Sequence, residues 1–308
     1  MSNIQRLRKL LLSESMISEK QQPEHIILFD GRKIFFNEYG DREGTPVLYF
    51  HGFPNCRLEA GMIHSKAERI GVRIISIDRP GIGLSDFHQK RQIIDWPNDI
   101  IELADQLVIE KFSVLGVSAG APYALACASK CSTRITTVGI VSALGSIEHK
   151  YSLRKDYIIA FKIAGVSLKA FQRILWLNRF RYIKKPDKAH IFTEKKMKEL
   201  ADCDRKIAQI QSVNDYIQKT QCEASIRGMK GLAYEAKLLG KPWNIKLEEI
   251  SQDLDIIMWH GENDNISSYL ATKAIGKRIP NCCVNYYPNE GHYSLIINKT
   301  NDILLKLR

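Results

Sequence analysis

Apolar residues in this chain follow two alternating rhythms. Short dense runs recur as "HIILFD" (25–30), "KIFFNEY" (33–39), "TPVLYFHG" (45–52), "VRIISIDRPG" (72–81), "FSVLGV" (112–117) and "ITTVGIVSA" (135–143). Two more, "DLDIIMWHG" (253–261) and "CVNYYP" (283–288), come much later. Branched, nearly continuous runs of this kind suit strands covered on both faces, as in a parallel sheet. Between them the spacing turns helical: Ile94, Ile101, Ala104 and Val108 mark one segment, and Ala124, Leu125 and Ala128 another. The first two runs flank Asp30-Gly31, which predicts a hairpin with a two-residue turn. A hairpin followed by alternating strands and helices predicts an α/β architecture, a mostly parallel sheet with helices on both faces.

The rhythm breaks between about residues 146 and 225. No strand-like run occurs there; Leu168, Phe171 and Leu175 predict one helix, and Met197 and Leu200 another. The expected organisation is therefore an N-terminal arm (1–22), a discontinuous α/β core (23–145 and 226–308) and an inserted helical cap (146–225). Trp176, Phe171 and Phe180 could line a substrate pocket or simply pack the cap on the core.

Composition changes this picture little. The length and a 44% hydrophobic content allow a full core. Seven scattered cysteines without a CxxC pair read as free thiols in a reducing compartment, hence a cytoplasmic protein. Cys127 and Cys131, one helical turn apart, read as packing rather than as a metal pair, and no metal is expected. No apolar run reaches membrane-spanning length, and "LLL" (10–12) is too short for a signal core. The net charge of +11 gathers partly in "RFRYIKKPDK" and "EKKMKE". It accompanies no nucleic-acid-binding module, so nucleic acid is not an expected partner. Ile4, Leu7 and Leu11 recur at helical spacing beside Arg6, Arg8 and Lys9. That arm suits a helix packed on its own domain, or weak contact with an anionic surface without stable insertion.

The candidate chemistry begins at Gly116-Val117-Ser118-Ala119-Gly120. By chance alone this pentapeptide pattern is common, but here Ser118 ends an expected strand and opens an expected helix. A serine hydroxyl needs an adjacent base, oriented by a third group, before it attacks. Asp264 follows the run ending at Gly261, and His292 follows the run ending at Pro288, so both fall at later strand ends. Glu262 is the rival for the acid.

With those residues in place the chain resembles the α/β-hydrolase family, serine-nucleophile and capped. The order Ser118, Asp264, His292 is the family's nucleophile–acid–base order. "FHGFP" (50–54) resembles the family's His-Gly-x-Pro loop, "DRPGIGLSD" (78–86) its turn after the fourth strand, and "GLAYEAKLLGKPWNI" (231–245) its re-entry after the cap. The resemblance implies an eight-stranded sheet and a Ser118–His292–Asp264 triad. It also implies an oxyanion hole from the N–H groups of Phe53 and Ala119, and Gly116 and Gly120 as elbow glycines. His51 and His260 then read as scaffold, and Asp78 with Arg79 as a turn-stabilising pair. Ser267, Ala121 and Cys56 depart from commoner family residues: proline at the first, glycine and serine at the others.

The implied activity is that of a serine hydrolase, most simply a carboxylesterase acting on a small ester through an acyl-enzyme, with no cofactor. The same triad would equally serve a C–C bond, thioester or lactone hydrolase or a perhydrolase. An alternative of another class is a sensor that binds its ligand without turnover, and a third reading is a lipase recruited to a membrane surface.

Overall fold

In the computed structural model, neighbouring residues of the central strands belong to two separate apolar clusters. In strand β3 (Thr45–Phe50), Val47 and Tyr49 enter one, and Leu48 and Phe50 the other. In β5 (Phe112–Val117), Val114 and Leu115 divide in the same way. A period of two that is buried on both sides requires a covered sheet. The remaining strands are β1 (Glu24–Ile27), β2 (Lys33–Gly40), β4 (Val72–Ile77), β6 (Ile135–Val141), β7 (Asp255–Gly261) and β8 (Cys282–Tyr287). They form one eight-stranded sheet in the order β1-β2-β4-β3-β5-β6-β7-β8. Only β2 runs against its neighbours, and every other pairing is parallel.

The structure describes residues 22–145, 153–184 and 198–308, with the side chains of 178–184 left aside. The arm residues Ile4, Arg6, Leu7, Arg8, Lys9 and Leu11, Met197, and the side chain of Phe180 lie outside the described residues.

One face of the sheet is covered by Ile100 and Leu103 of helix Trp96–Gln106 and by Leu125 of helix Ala121–Lys130. The other is covered by Ala67 of helix His64–Ile70 and by Leu295, Ile303 and Leu307 of helix His292–Leu307. Between β6 and β7 the described elements are helical: Lys155–Val166, Leu168–Lys184, Asp202–Ala208, Gln211–Ala224 and Lys230–Leu239. Among the described residues no helix is long and apolar enough to cross a membrane.

Some local expectations fail for definite reasons. The β1–β2 connection is five residues, Leu28–Arg32, closed by Leu28 N–H donating to Arg32 O at 2.9 Å. Gly31 takes φ +84° there, and Phe29 N–H is drawn off to Glu102 at 2.7 Å. Val108 does not extend helix Trp96–Gln106; it sits past its end at φ 56°, 92% exposed. Leu200 lies in a bend before helix Asp202–Ala208.

Candidate active site

β5 ends at Val117, and the chain turns at once into a 3-10 turn, Ser118–Gly120, that leads into helix Ala121–Lys130. Ser118 holds φ +53°, a left-handed conformation that an L side chain adopts at a cost of about 1–3 kcal/mol. The turn is possible only because its flanks lack side chains. A Cβ on Gly116 would lie 2.7 Å from Gly120 O, and one on Gly120 would run into the Phe50 carbonyl. Leu144 N–H donates to Ser118 O at 3.0 Å and pins the elbow to the end of β6.

The three residues expected at separate strand ends meet here. His292 Nε2 lies 3.0 Å from Ser118 Oγ, and His292 Nδ1 lies 2.7 Å from Asp264 Oδ2. All three side chains are buried. Asp264 Oδ1 accepts the N–H groups of Ile266 and Ser267, both at 2.9 Å. The departure at Ser267 matters at this point, since a proline would have no N–H to give. Its hydroxyl also donates to Ala143 O at 2.6 Å. Glu262 is exposed on the same loop.

Burial pushes the Asp264 carboxyl up, but the facing His292 and hydrogen bonds from His260 and His292 hold it well below the usual carboxylate range. Burial pushes the His292 imidazole down, yet the charge and hydrogen bond of Asp264, with Asp204 and Glu59 further off, raise it above its ordinary value. A base poised in this way accepts a proton readily and is stabilised as a cation.

Phe53 and Ala119 both belong to the surroundings of Ser118. Phe53 lines the cavity in front of the serine hydroxyl, and Ala119 is fully buried at the first step of the turn. His51 is fully buried, with Nδ1 2.8 Å from Gly52 O; burial and the Arg79 cation push it well below its ordinary value, so it stays neutral. Arg79 donates to His51 O at 2.6 Å, so this histidine belongs to the scaffold under the loop.

Asp78 and Arg79 are not partners of each other. Adjacent residues at the end of an extended strand point to opposite sides. Asp78 pairs with Arg57 at 2.7 Å, and Arg79 pairs with Glu235 at 2.8 Å. Glu235 also takes Arg91 at 2.5 Å and the Tyr123 hydroxyl at 2.9 Å, which ties helix Lys230–Leu239 to the segment after β4 and to helix Ala121–Lys130. Cys56, the other polar departure, donates its thiol to Thr220 O at 3.3 Å.

The cavity in front of Ser118 has an apolar wall that includes Leu144, Tyr157, Phe161, Ile217 and Ile266. Phe171 and Trp176 are not part of the lining. Phe171 is on the inward side of helix Leu168–Lys184, buried in the apolar core with Leu168 and Leu175 packed against the same cluster, whereas Trp176 is 54% exposed. Phe161, on helix Lys155–Val166, holds the place given to them and meets Phe53 edge to face at 5.9 Å.

Two residues of the site carry no sequence signature. Asp204 is fully buried at the start of helix His292–Leu307. Its Oδ2 accepts His292 N–H at 2.8 Å, and its Oδ1 accepts the N–H groups of Tyr293 and Ser294 at 2.9 Å. Glu59, also buried, accepts Gly52 N–H at 2.6 Å and lines the cavity.

A family model described as alpha/beta hydrolase fold matches residues 45–299. An uncharacterized hydrolase of Bacillus subtilis (strain 168), YcgS, is 32% identical over 119 residues, which are 38% of this chain and 40% of that protein's length. Among solved structures, a hydrolase from Pseudomonas aeruginosa PA01 superposes with a TM-score of 0.68 at 13% identity, covering 94% of this chain and 98% of the other. An esterase from Exiguobacterium antarcticum gives a TM-score of 0.64 at 18% identity, covering 92% and 98%.

Proposed function

The chain belongs to the α/β-hydrolase fold family, and from that premise we propose that it is a serine hydrolase, most simply a carboxylesterase acting on a small ester. The observation that carries this reading is the run of contacts from Ser118 Oγ to His292 Nε2, 3.0 Å, and from His292 Nδ1 to Asp264 Oδ2, 2.7 Å. It begins at a serine held in left-handed backbone conformation at the carboxyl end of a central strand.

The reaction follows from the chemistry of these groups. His292 Nε2 takes the hydroxyl proton as Ser118 Oγ attacks the acyl carbon, while Asp264 fixes the ring and stabilises its cation. The oxygen that becomes negative is met by the N–H groups of Phe53 and Ala119. The protonated ring then gives its proton to the departing alcohol, leaving an acyl-Ser118. Water, deprotonated by His292, attacks that ester, and the acid leaves as Ser118 recovers its proton. The described helices from Lys155 to Ala224 act as a cap, with Tyr157 and Phe161 lining the cavity beside the nucleophile.

Labelling with a fluorophosphonate, with the adduct located by mass spectrometry, tests this reading without knowledge of the substrate. An adduct on Ser118 that disappears in Ser118→Ala is the expected result. A folded wild-type protein that takes no adduct overturns it and leaves a ligand-binding protein on the hydrolase fold.

A further inference from the structure

The protein carries a net charge of +11, yet among the described residues that line the cavity there is no lysine or arginine. Its one acidic side chain is Glu59, 6% exposed. The carboxylate lies beside the nucleophile: a Cβ placed on Gly52 would be 3.2 Å from Glu59 Oε1 and 3.4 Å from Ser118 Cβ.

Glu59 is held in place from several sides. Gly52 N–H (2.6 Å) and the Tyr49 hydroxyl (3.3 Å) donate to Oε2, and the Asn55 amide donates to Oε1. Asn55 is oriented in turn, since its Oδ1 accepts the Thr220 hydroxyl at 3.2 Å. The neighbouring cations are committed elsewhere: Arg57 pairs with Asp78 and Glu223, and Arg79 with Glu235. The other titratable groups near Glu59 are Tyr216 from helix Gln211–Ala224, with His292 and Tyr293 from the last helix. Burial pushes the Glu59 carboxyl above its ordinary range, against the hydrogen bonds from Gly52, Asn55 and Tyr49 and the Arg79 charge, so its ionised fraction grows as pH rises.

A carboxylate-bearing acyl group entering here would lose its water, find no cation on the lining, and face a like charge at short range. An acyl group with an ammonium head would find an acceptor already oriented. We propose that Glu59 makes this cavity select by charge, admitting neutral and cationic acyl groups and turning away those that carry a carboxylate. The selection rests on the serine-hydrolase reading, and it opposes the field of the molecule as a whole, which draws anions in.

The test uses three ethyl esters of matched length: ethyl pentanoate, monoethyl glutarate and ethyl 4-(trimethylammonio)butanoate. Ethanol release is followed at pH 8 with the wild type and with Glu59→Gln. Like charges within about 6 Å at an effective dielectric near 20 correspond to a rate ratio of tenfold or more. The expected kcat/KM for the glutarate monoester is therefore at least about tenfold below that for the pentanoate. In Glu59→Gln the three esters should fall within about threefold of one another.

Equal wild-type rates on the neutral and anionic esters overturn the proposal, whatever the variant does. A variant slowed equally on all three, with its ratios unchanged, also overturns it and leaves Glu59 as a brace for the Gly52–Phe53 loop. Calorimetric binding of the same esters to Ser118→Ala reads the charge order without turnover. A wild type that hydrolyses none of them, while Ser118→Ala keeps that order, sinks the hydrolase reading and supports the selection. Equal binding of all three sinks the selection itself.

Discussion

His260 Nε2 lies 3.1 Å from Asp264 Oδ2, the same oxygen that His292 Nδ1 reaches at 2.7 Å. Two imidazoles therefore share one carboxylate oxygen. His260 Nε2 also faces Ser267 O at 2.9 Å, so it sees two acceptors and must carry the proton. Its Nδ1 is left to accept from the Thr272 hydroxyl at 2.6 Å. Replacing His260 by Ala removes one donor from Asp264, whose charge then acts more strongly on His292. The expected outcome is a fall in stability of about 1–3 kcal/mol and an acid limb of kcat/KM displaced to higher pH. Urea unfolding and a pH–rate profile measure the two effects separately.

The wild-type profile has its own sign. In the proposed mechanism His292 must be neutral to take the serine proton, and Asp264 raises its pKa above the ordinary 6.5 despite burial. Activity should therefore fall on the acid side with an apparent pKa above 6.5. An acid limb centred below that value would mean that the base is another group. A pH series of kcat/KM on one neutral ester is enough.

The backbone of Ser118 bears a conformation that glycine adopts freely. Ser118→Gly should abolish fluorophosphonate labelling while raising stability by about 1 kcal/mol relative to Ser118→Ala, which keeps the strain. Thermal or urea unfolding of the two variants side by side decides it.

Glu235 holds two buried guanidinium groups, Arg79 and Arg91. Glu235→Ala leaves both cations in the interior without a counter-charge and should cost about 3–5 kcal/mol. Burial pushes its carboxyl up, but the two arginines and the Tyr123 hydroxyl bring it below 4.5. Its contribution is complete above that pH and is lost as pH falls through the lower folded value. Wild-type and variant stabilities should therefore converge in acid, which urea midpoints at pH 7 and at low pH would show.

How far the sequence was readable depended on where each residue's partner lay. Ser118, Asp264 and His292 each follow a dense apolar run, so strand ends located them although 174 residues separate the serine from the histidine. Glu59 and Asp204 bind backbone N–H groups, which every residue but proline has, and nothing in a side-chain pattern marks such an acceptor. Asp204 reaches across 88 residues to the His292 amide. For Phe171 and Trp176 the choice between pocket and packing stayed open for a related reason: aromatic spacing reveals that a helix has an apolar side but not what that side covers. Asp78 and Arg79 misled because adjacency in the chain suggests a pair, while strand geometry separates them.

Asp204 lies in the stretch between β6 and β7, yet the amide groups it caps belong to the helix that opens with His292. Anyone who transplants that stretch from a relative to alter specificity would also remove the anchor of His292, the proposed general base. A chimera lacking an acid at this place would look correctly folded and turn over poorly, and the fault would be blamed on the new pocket. Retaining Asp204 as a fixed splice point separates the two outcomes and makes the rest of the stretch exchangeable.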